Sequence, residues 1–165
     1  MNFSNILEIG KTLVKEYIVK PENTADFIGN KGVVMLSTPS MIAFMEATAT
    51  YLVIDNIPEN YKTVGTKINV DHINPTPINM KVTVKATLIA IEGRKLRYNV
   101  EAFNEKCKIG FGIYEQQVIN LDDFLSKSWE KNVKVELFNF YDILEVVTLW
   151  GSKISIKKTR VELIT

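Results

Sequence analysis

The chain has 165 residues, enough for one domain with a buried core, and its 46% hydrophobic and 24% charged residues are ordinary for a globular protein. A formal net charge of +1 argues against a nucleic acid or a membrane surface as a partner. Cys107 is the only cysteine, which excludes an internal disulfide and a cysteine-based metal site and is typical of a cytoplasmic protein.

A strand and a long helix are predicted first along the chain. Residues Thr12–Val19 are rich in side chains that favour a strand. Thr38 followed by Pro39 predicts the start of the helix, with the threonine hydroxyl as its N-cap. The apolar stretch 32–54 is long enough to cross a bilayer, but its proline and polar residues favour a buried helix in a globular domain. The predicted buried stripe consists of Met41, Phe44, Met45, Thr48 and Leu52.

Glu46 is the only charged residue of this apolar stretch, which looks apolar or small on nearly every side of the helix. An unpaired buried charge is costly, so the carboxylate is expected to have a partner, a raised pKa or a catalytic role. The structural alternative is an ion pair with a lysine such as Lys67 or Lys81. His72, the only histidine, lies 26 residues beyond Glu46 in a predicted strand.

Beyond Pro58 the hydrophobic period changes from about 3.6 to about 2, which predicts strands. Short polar segments at 92–94 and 104–106 are typical of hairpin turns. The four strands are predicted at Val64–Ile73, Met80–Ile91, Leu96–Phe103 and Lys108–Ile119. The simplest packing of these elements is an antiparallel sheet curled around one buried helix, an α+β architecture. Leu121–Lys131 predicts a short helix.

Three segments carry a resemblance to a known family. They are STPSMIAFMEATA at 37–49, VGTKINVDHINPTPINMKVTVKATL at 64–88 and IGFGIYEQQVI at 109–119. They resemble the fluoroacetyl-CoA thioesterase-like branch of the hotdog-fold thioesterases. The resemblance implies a hotdog fold over residues 1–131, catalytic roles for Thr38, Glu46 and His72, and a substrate-binding role for Gly65. Residues 132–165 are then an extension of unknown role, expected to pack on the same domain.

The last predicted strand departs from the family pattern, which has a Gly-x-Gly-x-His-x-Arg-like run. Gly110 and Gly112 are present, but Tyr114 and Gln116 stand where the histidine and the arginine would be. Gln116 cannot carry the permanent charge of an arginine, so the fluorinated substrate is not carried over. Residues expected to bind the acyl group or cover its pocket are Phe27, Phe44 and Gln116, beside Gly65.

Thioester hydrolysis needs a nucleophile, a base and a donor for the developing oxyanion. Water or Thr38 would be the nucleophile, and His72 the base. Glu46 would orient the imidazole or activate water. First-turn N–H groups, those of Ser40 or Met41, are candidate oxyanion donors. Each residue also has a structural reading: Thr38 as a simple helix cap, Glu46 as an ion-pair partner and His72 as a polar strand-end residue.

Thr38 and Glu46 are separated by about 12 Å if both lie on one straight helix. A compact triad therefore requires Thr38 to lie off the helix or a second chain to contribute. Hotdog proteins generally form dimers with active sites at the subunit interface, so the resemblance implies a homodimer with shared active sites.

The predicted function is hydrolysis of a small or medium acyl-CoA to a free acid and CoA. No metal is expected, and no cofactor beyond the coenzyme A of the substrate. The alternative is a non-catalytic acyl-CoA-binding hotdog protein that senses or sequesters its ligand. Hydration of an enoyl-CoA is disfavoured, since Lys67 stands where hotdog hydratases have an aspartate five residues before the histidine.

Overall fold

One antiparallel sheet lies against one long helix in the computed structural model, which describes residues 3–127. The helix is α1 (Thr38–Val53), and short 3-10 helices lie at Phe3–Asn5, Pro21–Asn23 and Ile54–Asn56. The five strands are β1 (Thr12–Ile18), β2 (Tyr61–His72), β3 (Lys81–Glu92), β4 (Lys95–Asn104) and β5 (Lys108–Asn120). They are ordered β1-β3-β4-β5-β2, and every neighbouring pair is antiparallel. The predicted α+β architecture is confirmed.

Residues as far as Asp123 form one compact unit. Residues 121–127 are helical, which agrees with the start of the predicted short helix. The predicted extension at 132–165 lies outside the described residues, and the division of the chain at residue 131 stays a prediction. Within residues 3–127, no helix is long and apolar enough to cross a membrane.

The core lies between one face of the sheet and one stripe of α1. Strands β3 and β4 alternate buried and partly exposed residues, as expected for strands with one face on a core. The predicted stripe is largely confirmed, with Phe44 only partly buried; the residues of α1 that are buried are Met41, Met45, Thr48, Ala49, Leu52 and Val53. The expectation of a helix buried on nearly every side is wrong for the single chain, because Ala43 and Tyr51 are exposed.

Two glycines of β5 allow the end of β2 to approach the start of α1. His72 is paired with Gly110 in the β2–β5 register, and Val70 is paired with Gly112. A Cβ on Gly110 would lie 2.5 Å from the sulfur of Met41 and 2.8 Å from the carbonyl oxygen of Asp71. A Cβ on Gly112 would lie 2.6 Å from the Cα of Val70. Both positions therefore need a residue without a side chain.

Replacement of Gly110 by alanine is expected to lower the free energy of unfolding by about 2 kcal/mol, because the new methyl group overpacks the contact with Met41. Urea unfolding of the two proteins measures the difference. Cys107→Ala, at an exposed position, is the control and should stay within about 0.5 kcal/mol of wild type. A Gly110→Ala protein as stable as the control would contradict this account of the packing.

Candidate active site

Ser37, and not Thr38, caps the N-terminus of α1. The Ser37 hydroxyl oxygen accepts the N–H of Ser40 at 3.2 Å, and its backbone carbonyl accepts the N–H of Met41 at 3.0 Å. Thr38 is the first residue of the helix, and Pro39 follows it. Proline has no N–H, which costs nothing here because N–H groups of the first turn have no acceptor within the helix. The expectation that the Thr38 hydroxyl is the cap is wrong. Since Ser37 caps the helix, the Thr38 hydroxyl is available for another partner.

That partner is the imidazole of His72. The hydroxyl oxygen of Thr38 lies 3.0 Å from Nδ1 of His72, the last residue of β2. Thr38 is exposed and His72 is half-buried, so the pair lies at the surface where a ligand can reach it. We refer to Thr38 and His72 as the hydroxyl–imidazole pair. A hydroxyl and a base at hydrogen-bond distance form the basic unit of nucleophilic acyl transfer.

The environment of His72 favours the neutral imidazole. Burial lowers the pKa of His72 from its usual 6.5, and the backbone of Asn74 acts in the opposite direction. The second ring nitrogen, Nε2, is buried and has no hydrogen-bond partner among residues 3–127. A neutral imidazole can accept a proton at neutral pH, as a general base must.

The carboxylate of Glu46 lies elsewhere, beside Gly65 and Tyr114. A Cβ on Gly65 would lie 3.0 Å from Oε1 of Glu46 and 2.6 Å from the hydroxyl oxygen of Tyr114. Glu46 is half-buried and forms no salt bridge within residues 3–127. The structural alternative of an ion pair with Lys67 or Lys81 does not occur among residues 3–127. Lys67 forms no salt bridge there, and Lys81 pairs with Glu16 at 2.8 Å.

Gln116 extends this group of polar side chains into the core. Its Oε1 accepts the hydroxyl of Tyr98 at 3.0 Å. Its Nε2 donates to the hydroxyl oxygen of Thr50 at 2.8 Å and to that of Tyr114 at 3.4 Å. Gln116 and Tyr98 are fully buried, and Tyr114 is 2% exposed. We refer to Glu46, Tyr114 and Gln116 as the carboxylate cluster.

The predicted catalytic residues therefore form two groups and not one triad within a single chain. Thr38 contacts His72, whereas Glu46 lies eight residues further along the straight α1, about 12 Å along its axis. Among residues 3–127, neither nitrogen of His72 is hydrogen-bonded to Glu46. A compact arrangement of all three side chains does not exist in one chain.

The remaining predicted site residues have separate surroundings. Phe44 stacks on Tyr17 of β1, with ring centroids 4.4 Å apart, and packs against the core. Phe27 is 66% exposed in the loop before α1. Their predicted contacts with an acyl group stay predictions.

The oxyanion donors suggested by the sequence are already occupied. The N–H groups of Ser40 and Met41 both donate to Ser37, so they are not the free first-turn donors that were expected. Pro39 has no N–H, and the remaining donor of the first turn is the N–H of Thr38 itself. This N–H lies at the positive end of the helix dipole, where negative charge is stabilised.

Sequence reasoning missed Tyr114 as a neighbour of Glu46. Its only signal was its place in β5 two residues beyond Gly112, where the family pattern has a histidine. The contact joins residues 68 positions apart in the chain, on different elements. Local periodicity carries no information about such a pair.

A five-stranded antiparallel sheet on one long helix is the hotdog fold, and with a Thr–His pair at the helix start and a carboxylate further along it the chain is similar to the hotdog-fold thioesterases of known structure. Residues 19–122 match the family of fluoroacetyl-CoA-specific thioesterases, and the chain belongs to that family. The predicted resemblance and the predicted enzyme class, a thioester hydrolase, are thereby confirmed. The alternative of a non-catalytic binding protein is not favoured.

Relatives of known structure and sequence support this membership. The fluoroacetyl-CoA thioesterase of Streptantibioticus cattleyicolor is 28% identical over 131 residues, which cover 76% of this chain and 94% of that protein. A crystal structure of a fluoroacetyl-CoA-specific thioesterase variant, in complex with fluoroacetate and CoA, is 27% identical with a TM-score of 0.67 and covers 72% of this chain and 99% of that one. A hot-dog-like protein from Thermanaerovibrio acidaminovorans has a TM-score of 0.74 at 21% identity, covers 79% and 97% of the two chains, and supports the fold alone.

Replacing Ser37 and Thr38 separately by alanine tests which residue caps α1. Ser37→Ala is expected to cost about 1 kcal/mol of unfolding free energy, because it removes the acceptor for the N–H of Ser40. Thr38→Ala should stay within about 0.5 kcal/mol of wild type, since its hydroxyl bonds only at the surface. Urea unfolding measures both values, and the reverse order would show that Thr38 is the cap.

Proposed function

We propose that this chain hydrolyses small or medium acyl-CoA thioesters to the free acid and CoA, with Thr38, Glu46 and His72 as its catalytic residues. The observation that carries the proposal is the 3.0 Å contact between the Thr38 hydroxyl and the His72 imidazole. Because burial favours the neutral form of His72, the imidazole is ready to accept the hydroxyl proton. Membership of a thioesterase family supports the reaction class.

In the proposed reaction His72 takes the proton of the Thr38 hydroxyl, and the Thr38 oxygen attacks the carbonyl carbon of the thioester. The N–H of Thr38 and the positive end of α1 stabilise the negative charge on the carbonyl oxygen. Collapse of this intermediate breaks the carbon–sulfur bond, and the CoA sulfur receives the proton from His72. A water molecule, deprotonated by His72, then attacks the acyl carbon. The bond to the Thr38 oxygen breaks, and that oxygen receives the proton back from His72 as the acid leaves, with Glu46 orienting the imidazole.

Attack by water directly on the thioester, with His72 as the base, is the other route these residues permit. We favour Thr38 as the nucleophile because its hydroxyl already contacts the base. Rapid acid quenching followed by intact-mass measurement distinguishes the routes. An increase by the mass of the acyl group, absent in Thr38→Ala, supports the covalent route, and turnover without such an adduct supports direct attack.

The acyl group is proposed to lie near Gly65, with Gln116, Phe44 and Phe27 around it. The relatives are named for fluoroacetyl-CoA. This chain has the neutral Gln116 where the family pattern has an arginine, and the side chain is held within the core by Tyr98 and Thr50. We therefore propose a substrate other than the fluorinated one.

The reaction needs no metal or cofactor beyond the CoA of the substrate, and the exposed thiol of Cys107 supports a reducing, cytoplasmic location.

Free-thiol release from short, branched, aromatic and long acyl-CoAs is the direct test, in a Cys107→Ala background because the exposed cysteine would react with the thiol reagent. His72→Ala or Glu46→Ala is expected to lower kcat by at least about 10²-fold, since the first removes the base and the second removes the carboxylate proposed to orient it. In wild type, kcat/KM should rise with increasing pH as His72 loses its proton. The midpoint of this rise should lie below 6.5, because burial lowers the pKa of His72.

The matched control is Asp71→Ala, an exposed neighbour of His72 whose side chain points to the other face of β2. Its kcat should stay within about twofold of wild type. A folded His72→Ala protein with unchanged kcat would overturn the assignment of the base. Absence of thiol release across the whole panel would overturn the proposed function.

We further propose a homodimer in which Glu46 of the partner subunit completes the hydroxyl–imidazole pair. Two observations support it: the separation of Glu46 from Thr38 along α1, and the outer edge of β2, which pairs with no further strand of the described sheet. Exposed apolar side chains at Val33, Val34 and Met35, in the segment before α1, offer surface for a second chain.

Mixing two inactive variants tests the shared site. After exchange of subunits between His72→Ala and Glu46→Ala dimers, half of the dimers are mixed, and one of their two sites combines an intact His72 with an intact Glu46. About a quarter of wild-type activity is therefore expected. Light scattering gives the oligomeric state and confirms exchange. A fully exchanged mixture without recovered activity would mean that Glu46 and His72 act within one chain, and a monomer would overturn the homodimer.

A further inference from the structure

The carboxylate cluster contains a residue that the proposed mechanism does not use. Tyr114 is almost completely buried, and its hydroxyl lies beside Glu46, within 2.6 Å of the point at which a Gly65 Cβ would stand. Oε1 of Glu46 lies 3.0 Å from the same point. The two oxygen atoms thus share the space that the missing side chain of Gly65 leaves open. Any larger residue at position 65 would separate or displace them.

The hydrogen bonds around Gln116 determine where the Tyr114 proton points. The Tyr98 hydroxyl donates to the amide oxygen of Gln116, which turns the amide nitrogen toward Thr50 and Tyr114. The Tyr114 oxygen therefore accepts a hydrogen bond from Gln116 and keeps its own proton free to donate. The acceptor beside it is the carboxylate of Glu46.

The phenol of Tyr114 stays neutral beside Glu46. Burial raises the pKa of Tyr114 to about 12, the hydrogen bond from Gln116 acts against this rise, and the charge of Glu46 adds to it. The phenol is therefore protonated, and able to donate, at neutral pH. A carboxylate that leaves water needs such donors to remain charged in a defined position.

We infer that Tyr114 is a positioning residue for Glu46: its hydroxyl donates to the carboxylate and holds it in the orientation used in the reaction. This inference rests on the proposed catalytic role of Glu46. Tyr114 stands where the family pattern has a histidine, and in this chain the group beside the carboxylate is a neutral phenol. Gly65 supports the same pair by leaving room for both oxygen atoms.

The test compares Tyr114→Phe with Tyr17→Phe. Both remove one phenol hydroxyl next to α1, but the Tyr17 hydroxyl bonds Thr48 at 2.9 Å and does not face Glu46. Tyr114→Phe is expected to lower kcat about tenfold, the loss for one hydrogen bond to a charged group, with KM changed less than about twofold. Tyr17→Phe should leave kcat within about twofold of wild type.

The same two substitutions in a Glu46→Gln background show whether the loss of kcat in Tyr114→Phe acts through Glu46. If Tyr114 acts through Glu46, Tyr114→Phe should change the residual kcat by less than about twofold in that background. Urea unfolding of the four Glu46 and Tyr114 variants provides a second cycle that needs no activity. There the effect of Tyr114→Phe on the unfolding equilibrium constant should differ between backgrounds by at least about fivefold.

Equal losses of kcat in Tyr114→Phe and Tyr17→Phe would overturn the inference in favour of general packing. A tenfold loss that persists in the Glu46→Gln background, or additive unfolding free energies, would show that Tyr114 does not act through Glu46. A wild type that releases CoA but is indifferent to Tyr114→Phe overturns this inference alone. A wild type that releases no CoA from any thioester overturns the proposed function and this role with it.

Discussion

The rigidity of α1 is the constraint on which the whole site depends. A helix of 16 residues packed along one buried stripe holds Thr38 and Glu46 at a separation of about 12 Å that no side-chain rotation can close. Each of the two residues must therefore find its partners on the sheet, where the C-terminal end of β2 meets Thr38. Further along the same helix, β2 and β5 together meet Glu46 through Gly65 and Tyr114. The edge of the sheet at β2 is thus the side on which both reactive groups lie.

Glycine residues allow that edge of the sheet to approach the helix closely. Gly110 makes room for Met41 below His72, and Gly65 makes room for the Glu46 carboxylate and the Tyr114 hydroxyl. Neither glycine has the positive φ of a turn, so conformational freedom does not explain them. What they provide is close approach between elements. The spacing of small residues in β2 and β5 consequently decides which polar atoms of the helix can meet the sheet.

Most of the fold could be predicted from the sequence because its signals are local. The change of hydrophobic period after Pro58 and the polar hairpin segments gave strand ends within three residues of those observed. The strand order was beyond reach, since an alternating pattern states which face is buried and not which neighbour is paired. The sequence predicts the cap of α1 at Thr38, but serine caps a helix equally well. Only the tertiary structure shows that the Ser37 hydroxyl caps the helix and that the Thr38 hydroxyl bonds His72. Pairing of Thr38 with His72 rested on the family resemblance, and the contact of Glu46 with Tyr114 joins elements that no local pattern connects.

Two neutral residues of β5, Gln116 and Tyr114, belong to one connected chain of hydrogen bonds. A family-type arginine would bring a charge into the core, whereas Gln116 is neutral and has each of its amide groups satisfied by Tyr98, Thr50 or Tyr114. A chain of neutral hydrogen-bonded groups costs less to bury than an unpaired cation. Because each bond fixes which group donates to the next, the chain also fixes the direction of the hydrogen bonds from the core outward. Because the last donor in the chain is the phenol of Tyr114, the orientation ends at the one carboxylate of α1. The neutral residues Tyr114 and Gln116 of β5 and the lone acid of the apolar helix are therefore two parts of one arrangement.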